Sequence, residues 1–289
     1  MNINRRFNWI SSKTGNKSII DGVNQKLAEF YSLQKNRENY QKMLDAIDVM
    51  PNKGDINSLL LEYIMRTNPA QILEVGCGSG RIYKQLINLN YSGVYKGIEV
   101  ADYIIQNNRK VHPEVEWLTA GAYHIPYENE SFEMCFAFFV LEHLVYPESG
   151  IREMLRVLKK KGKLVLVFPD FIESRRLASQ ELGLSPIENA RQKFRQGRIM
   201  DTLISLYDSR IRLRRALKRI HQDIGRFPIN TNLICLNHKD IMGADVDAVY
   251  IASKKEIDEW ALENNLKIEF PFGTEGDLKE KAFLVIERD

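Results

Sequence analysis

The chain has 289 residues, 44% hydrophobic and 27% charged, with a formal net charge of +3. That composition supports a sizeable core and excludes nucleic-acid binding driven by overall charge. No apolar run approaches the roughly 20 residues needed to span a bilayer, and Met1–Arg6 precede no apolar stretch of the signal-peptide kind. Cys77, Cys135 and Cys235 are widely spaced and lack C-x-x-C partners. Neither a disulfide nor a zinc site is therefore expected, and a reducing, cytoplasmic setting is the expected one.

Residues 1–69 carry a helix pattern over Val23–Met50, rich in Asn, Gln and Tyr (Tyr31, Tyr40). Pro51–Asp55 breaks it, and a second helix is predicted over Ile56–Arg66. From about residue 70, strands and helices alternate. The first strand is Gln71–Val75, followed by a helix over Arg81–Leu89 with Ile82, Leu86 and Leu89 on one face. A strand ending at Val100, a helix over Tyr103–Lys110 stopped by Pro113, and a strand over Val115–Leu118 come next. Met134–Phe139 is apolar throughout, as a central parallel strand should be. A helix over Ile151–Lys160 leads to a strand over Leu164–Phe168, closed by Pro169. After an insertion, a helix over Lys254–Asn264 precedes strands over Leu266–Phe270 and Ala282–Ile286, with only a loop between the two. Those two strands are expected to run antiparallel. The alternation implies an α/β doubly wound, mostly parallel sheet.

The most telling stretch is Glu74-Val75-Gly76-Cys77-Gly78-Ser79-Gly80. Glycines at alternate positions after a strand let the backbone turn sharply and approach a ligand closely. The helix that follows offers unpaired N–H groups. The dinucleotide pattern G-x-G-x-x-G does not fit, because the third glycine comes one residue early. Glu74 inside the apolar strand suits a cationic ligand and would repel a pyrophosphate. Glu99 ends the second strand 19 residues after Gly80, close to the spacing at which a carboxylate bonds a ribose diol.

The stretch resembles the first motif, E/D-x-G-x-G-x-G, of the class I S-adenosylmethionine-dependent methyltransferases. Three further stretches carry the likeness. Ala120–Tyr127 resembles G-D-A-x-x-L-P-F, with Gly121 where relatives have an aspartate that accepts from the adenine amino group. Ser131–Leu144 resembles S-F-D-x-V-x-S-x-x-V-L-E-H-L, with Glu133 for the aspartate. Leu155–Pro169 resembles R-V-L-K-P-G-G-x-L-x-x-x-x-P, with Lys160-Lys161 replacing Pro-Gly. The likeness is strong over about residues 70–170 and loose over 250–289.

The resemblance implies a seven-stranded Rossmann-like sheet and S-adenosyl-L-methionine as cofactor, with S-adenosyl-L-homocysteine as product. It implies that Glu74, Gly76, Cys77, Gly78 and Gly80 hold the methionine end, Glu99 the ribose, and Val100, Gly121 and the N–H of Ala122 the adenine. Ala137 and Phe138 complete the expected contacts, and no metal is expected. Phe138 is expected to wall the methyl pocket and Phe139 to pack in the core. His143, just past the fourth strand, is the candidate general base for a hydroxyl acceptor, its ordinary pKa of about 6.5 suiting that task. The competing reading is that it packs beneath the cofactor or caps a helix. His124 reads as structural.

The expected organisation is a helical cap over 1–69, a core over 70–170 and 250–289, and a helical insertion over 171–249. Arg191–Arg226 holds eleven Lys/Arg and three Asp, a net of +8, interleaved with Ile199, Leu203, Leu206, Ile211, Leu213, Leu217 and Ile220. Basic amphipathic helices follow, and three readings stand: a solvated face, a site for an anionic acceptor, or contact with a membrane surface. Asp247 or Tyr250 is read as an acceptor contact. The function expected is methyl transfer to a small-molecule or glycan acceptor at oxygen. The alternatives are an RNA methyltransferase, although no RNA-binding module is visible, and a non-catalytic cofactor-binding subunit. The oligomeric state is not legible.

Overall fold

Gln71–Val75 and Phe132–Phe138 are apolar on both faces, and such strands need cover from both sides. In the computed structural model they lie at the middle of a seven-stranded sheet. The structure describes residues 7–289 apart from 33–35, 39–53, 178, 184–187, 239–240, 242 and 244. The described chain runs β1 (Trp9–Ser11), α1 (Lys17–Ser32), α2 (Ile56–Thr67), β2 (Gln71–Val75), α3 (Arg81–Asn88), β3 (Val94–Glu99), α4 (Asp102–Val111), β4 (Glu116–Thr119), β5 (Phe132–Phe138), α5 (Pro147–Arg156) and β6 (Leu158–Pro169). It continues through α6 (Phe171–Ser174), α7 (Ala190–Arg195), α8 (Ile199–Tyr207), α9 (Leu213–Asp223), β7 (Pro228–Asn230), α10 (Ile234–Asn237), α11 (Lys254–Glu263), β8 (Lys267–Glu269) and β9 (Lys281–Glu287). Two compact units divide it: Met1–Arg37, Glu142–Pro147 and Asp170–Ser253 form one, and Glu38–Leu141, Glu148–Pro169 and Lys254–Asp289 the other.

In the second unit the strand order is β4-β3-β2-β5-β6-β9-β8. β2 to β6 pair in parallel, and β9 runs antiparallel to both β6 and β8, as the short connection before it predicts. The chain steps outward from β2 to β4 and then returns to β5. The order therefore reverses between β2 and β5, and the crevice beyond their carboxyl ends is where open α/β sheets bind ligands. Beneath it, Ile72, Met134, Phe136, Val165 and Val167 join Leu60, Leu61 and Ile64 of α2 in one buried cluster. The sequence reading grouped Ile56–Arg66 with the N-terminal helices, whereas its apolar face packs in this cluster. α2 is bounded by Asp55, whose carboxylate accepts from Ser58 N–H at 2.8 Å, and by Asn68 in the left-handed region.

Element ends differ from expectation where pairing overrides periodicity. The helix predicted over Ile151–Lys160 stops at Arg156, because Leu158 already pairs with Phe132 across the sheet. α3 ends at Asn88, which leaves Leu89 exposed rather than on the buried face with Ile82 and Leu86.

In the first unit, β1 and β7 form an antiparallel ribbon that aligns Trp9 with Asn230. Phe171, Leu177, Leu213, Leu217, Ile220, Ala248 and Ile251 make its core. α1 covers part of the predicted Val23–Met50 helix; Tyr40 and the break at Pro51–Lys53 lie outside the described residues. Among the described residues no helix is long and apolar enough to cross a membrane.

Candidate functional site

The turn after β2 is tied down on three sides. The N–H groups of Gly76 and Cys77 donate to Ile98 O at 2.8 and 3.0 Å, bending the chain back over β3. Gly76 has φ +73°, and a Cβ there would stand 2.4 Å from Val140 Cγ2. Gly80 also has φ +73°, with Trp117 ring carbons 2.9 Å from a Cβ site. Only glycine meets both demands, conformation and room. Gly78 is clamped: its N–H donates to Glu99 Oε2 at 3.2 Å, and its carbonyl accepts from Asn108 Nδ2 at 2.7 Å. Glu99 Oε1 also accepts from Ala101 N–H at 3.2 Å. Sequence reasoning missed Asn108; its signal was a polar residue one turn past Ile104 on the buried face of α4.

Glu74 is buried, and the Tyr95 hydroxyl donates to its Oε2. Burial pushes this carboxyl up to about 8, against the opposing pull of the Tyr95 hydrogen bond and the Arg81 charge. At neutral pH the group is therefore largely protonated, and a cation beside it would favour its ionised form. Cys77 beside it is buried, and burial with the Glu74 and Glu99 charges raises its thiol far from reactivity.

Val100 is 62% exposed. A Cβ at Gly121 would meet only Val100 Cγ1, at 3.8 Å, so the Gly121–Ala122 turn leaves open room beside that side chain. Ala120 N–H donates to Glu99 O at 3.0 Å, which fixes the turn to the end of β3. Ala137 is buried and in register with Val75. Phe138 lies half-buried, with the Arg81 guanidinium 5.4 Å from its ring centroid and the Phe139 ring 4.8 Å away, edge-on. Phe139 sits in the left-handed region at φ +56°, strained backbone of the kind found at functional sites. The sheet thus brings Glu74, Gly76, Cys77, Gly78, Gly80, Glu99, Val100, Gly121, Ala122, Ala137 and Phe138 to the carboxyl ends of β2 to β5. Exposed Val100 offers an apolar side chain that a purine could cover, and buried carboxyl groups such as Glu74 and Glu99 suit a cation better than a phosphate chain.

His143 belongs to the first unit, in the 3₁₀ turn Leu141–His143. Its Nδ1 lies 2.9 Å from Asp247 Oδ2, and the Tyr31 hydroxyl donates to the same oxygen. Its Nε2 lies 3.8 Å from Oε1 of Glu142. Glu142 is fully buried, and neither of its carboxyl oxygens has a hydrogen-bond partner among the described residues. Burial alone would lower the His143 pKa, but the charge and hydrogen bond of Asp247, with Glu142 and Asp245, raise it to about 10. Burial also lifts Glu142 to about 7. For Asp247, burial acts upward, yet the His143 charge and the hydrogen bonds from His143 and Tyr31 hold the carboxyl below its usual range. The ordinary imidazole pKa assumed from sequence therefore does not apply: at neutral pH His143 is an imidazolium. Asp247 is the partner of His143, and Tyr250 is fully buried beside Phe227. His124 donates its N–H to Gly121 O at 3.3 Å, within the turn.

Residues 73–166 match a family described as "Methyltransferase domain". A ubiquinone/menaquinone biosynthesis C-methyltransferase of Bartonella henselae is 24% identical over 160 residues, 52% of this chain and 57% of that protein. A demethylmenaquinone methyltransferase of Thermotoga maritima is 24% identical over 108 residues, 37% of this chain and 47% of that protein. The chain spans about half the length of the curated relatives it matches. A solved structure from Pyrococcus horikoshii aligns over 90% of this chain and 95% of its own, at 14% identity and a TM-score of 0.48. With the glycine turn and its two acids in place on a sheet of this order, the matched segment is a class I S-adenosylmethionine-dependent methyltransferase domain.

Proposed function

We propose that the chain transfers a methyl group from S-adenosylmethionine to the hydroxyl oxygen of a small-molecule or saccharide acceptor. The observation that carries the acceptor side of this reading is the His143–Asp247 ion pair at 2.9 Å, backed by Tyr31. Glu74, the Gly76–Gly80 turn and Glu99 would hold the cofactor, with Val100, Gly121 and Ala122 against its adenine. The cofactor, when bound, supplies an electrophilic methyl, so the protein's task is alignment and charge control.

His143 follows Phe138 by five residues in the sequence. Held as an imidazolium by Asp247, His143 offers a positive charge to an acceptor oxygen that has lost its proton. Acceptors whose hydroxyl ionises readily are therefore favoured. A neutral alcohol would need the imidazole form, and its methylation would quicken as pH climbs towards 10.

A second reading rests on the relatives, one of which is named as a ubiquinone/menaquinone biosynthesis C-methyltransferase and another as a demethylmenaquinone methyltransferase. A phenolate held at oxygen by His143 presents its ring carbon as a nucleophile. Product analysis by NMR separates an O-methyl from a C-methyl group.

The test is turnover with methyl-labelled cofactor against phenolic, saccharide and RNA fractions. His143→Ala is expected to cut turnover by about 100-fold while cofactor affinity stays nearly unchanged; unaltered turnover removes His143 from the chemistry. Calorimetry showing no binding of S-adenosylmethionine or its demethylated product, but binding of NADH, would overturn the whole reading.

A further inference from the structure

Most surface helices bury apolar residues and expose polar ones; α8 does the reverse. Thr202 and Ser205 of α8, and Asp208 just after it, are buried. They close on Lys193, which is fully buried and donates from Nζ to Ser205 Oγ at 2.6 Å. Asp208 accepts from Gly183 N–H at 2.7 Å and lies 3.3 Å from Arg212 Nη1. Gly183, at φ +67°, has no room for a Cβ, since Ser205 Oγ would lie 2.2 Å from it. This packed polar node fixes the rotation of α8. Its apolar face is turned outward as a result: Ile199, Met200, Leu203 and Tyr207 of α8 are 50–67% exposed, and Phe194 of α7 and Ile211 in the following turn are exposed with them.

A π-helical turn at Asp208–Arg212 then shifts the register. After it, α9 buries Leu213, Leu217 and Ile220 in the ordinary way. The outer row becomes Arg214, Arg215, Lys218 and Arg219, all exposed, with exposed Arg210 at the junction. One ridge thus runs from apolar to strongly basic.

We propose that this ridge docks on an anionic phospholipid bilayer, with the α8 side chains entering the acyl boundary and the α9 bases meeting the lipid phosphates. Charge complementarity selects this occupant. A two-fold pairing of the ridge with a second copy, if it covers the whole length, sets one copy's cations on the other's apolar row or beside its cations. An RNA backbone would satisfy the bases and leave Ile199, Met200 and Leu203 in water. An anionic membrane surface meets both halves, since apolar insertion and basic attraction act together at such interfaces.

The test is sedimentation of the full chain with vesicles of phosphatidylcholine alone or with 30% phosphatidylglycerol. Binding is expected only to the anionic vesicles and should fall at least tenfold in 0.5 M salt. Met200→Asp/Leu203→Asp and, separately, Arg214→Glu/Arg215→Glu should each weaken binding at least tenfold. These side chains face solvent, so circular dichroism and thermal melting should match the parent chain. Absence of binding to anionic vesicles overturns the proposal, as does undiminished binding by both variants. A stable dimer in light scattering that Met200→Asp/Leu203→Asp dissolves would assign the ridge to self-association instead, and salt-sensitive RNA binding lost in Arg214→Glu/Arg215→Glu, without vesicle binding, would assign it to RNA.

Discussion

Asp247 holds His143 by Nδ1 at 2.9 Å, and this pairing reverses the protonation state that an isolated imidazole would have at neutral pH. The raised pKa has a definite sign for stability. His143's contribution is fully present below its unfolded value of about 6.5 and is lost as pH rises through about 10, while the contribution of Asp247, held below its usual range, is lost as pH falls through that range and below. NMR titration should find the His143 ring still charged at pH 8. In Asp247→Asn the ring should titrate closer to its ordinary range, and the alkaline rise in turnover on a neutral alcohol should move to lower pH with it. A profile identical in both proteins would detach Asp247 from His143.

Glu74 provides a second titration. Its carboxyl is raised from the usual range to about 8, so the folded chain binds a proton that the unfolded chain has released. The Glu74 contribution to stability should therefore fall as pH rises from about 4.5 to 8. Glu74→Gln should flatten that fall and raise the melting temperature at pH 8. Binding of a sulfonium should draw the proton off. Calorimetry at pH 7.5 in two buffers of different ionisation enthalpy should then report proton release with the parent chain and much less with Glu74→Gln, whose cofactor affinity should drop by about tenfold. Equal heats in both buffers for the parent chain would refute this.

Gly76→Ala meets two obstacles at once: a left-handed backbone and Val140 Cγ2 at 2.4 Å from the added carbon. The expected cost is ~2–4 kcal/mol. Gly76→Ala/Val140→Ala should recover the steric part and leave the conformational part. Denaturant melts of the four proteins of this cycle measure the coupling, and simple additivity would show that the contact is not felt.

Asn108→Ala removes the donor to Gly78 O, a 2.7 Å bond, and leaves the carbonyl unpaired by that side chain. A loss of ~1–2 kcal/mol in stability is expected. Because the bond holds the turn rather than the ligand, cofactor affinity should fall about fivefold with little change in turnover at saturation. A fall in turnover alone would point to another role.

The sequence by itself determined the sheet and the cofactor turn. Strand–helix alternation is a local periodicity. The Gly76–Gly80 spacing and the position of Glu99 are local steric and hydrogen-bonding demands, legible in a window of about 25 residues. Only the tertiary structure decided the charge of His143, because Asp247 and Tyr31 reach it from distant parts of the chain, and a pKa is set by neighbours in space. It also decided which way α8 faces. The Arg191–Arg226 stretch reads only as basic amphipathic helices; that Ile199 and Leu203 face outward is set by the buried Lys193–Ser205 contact, which no local pattern shows.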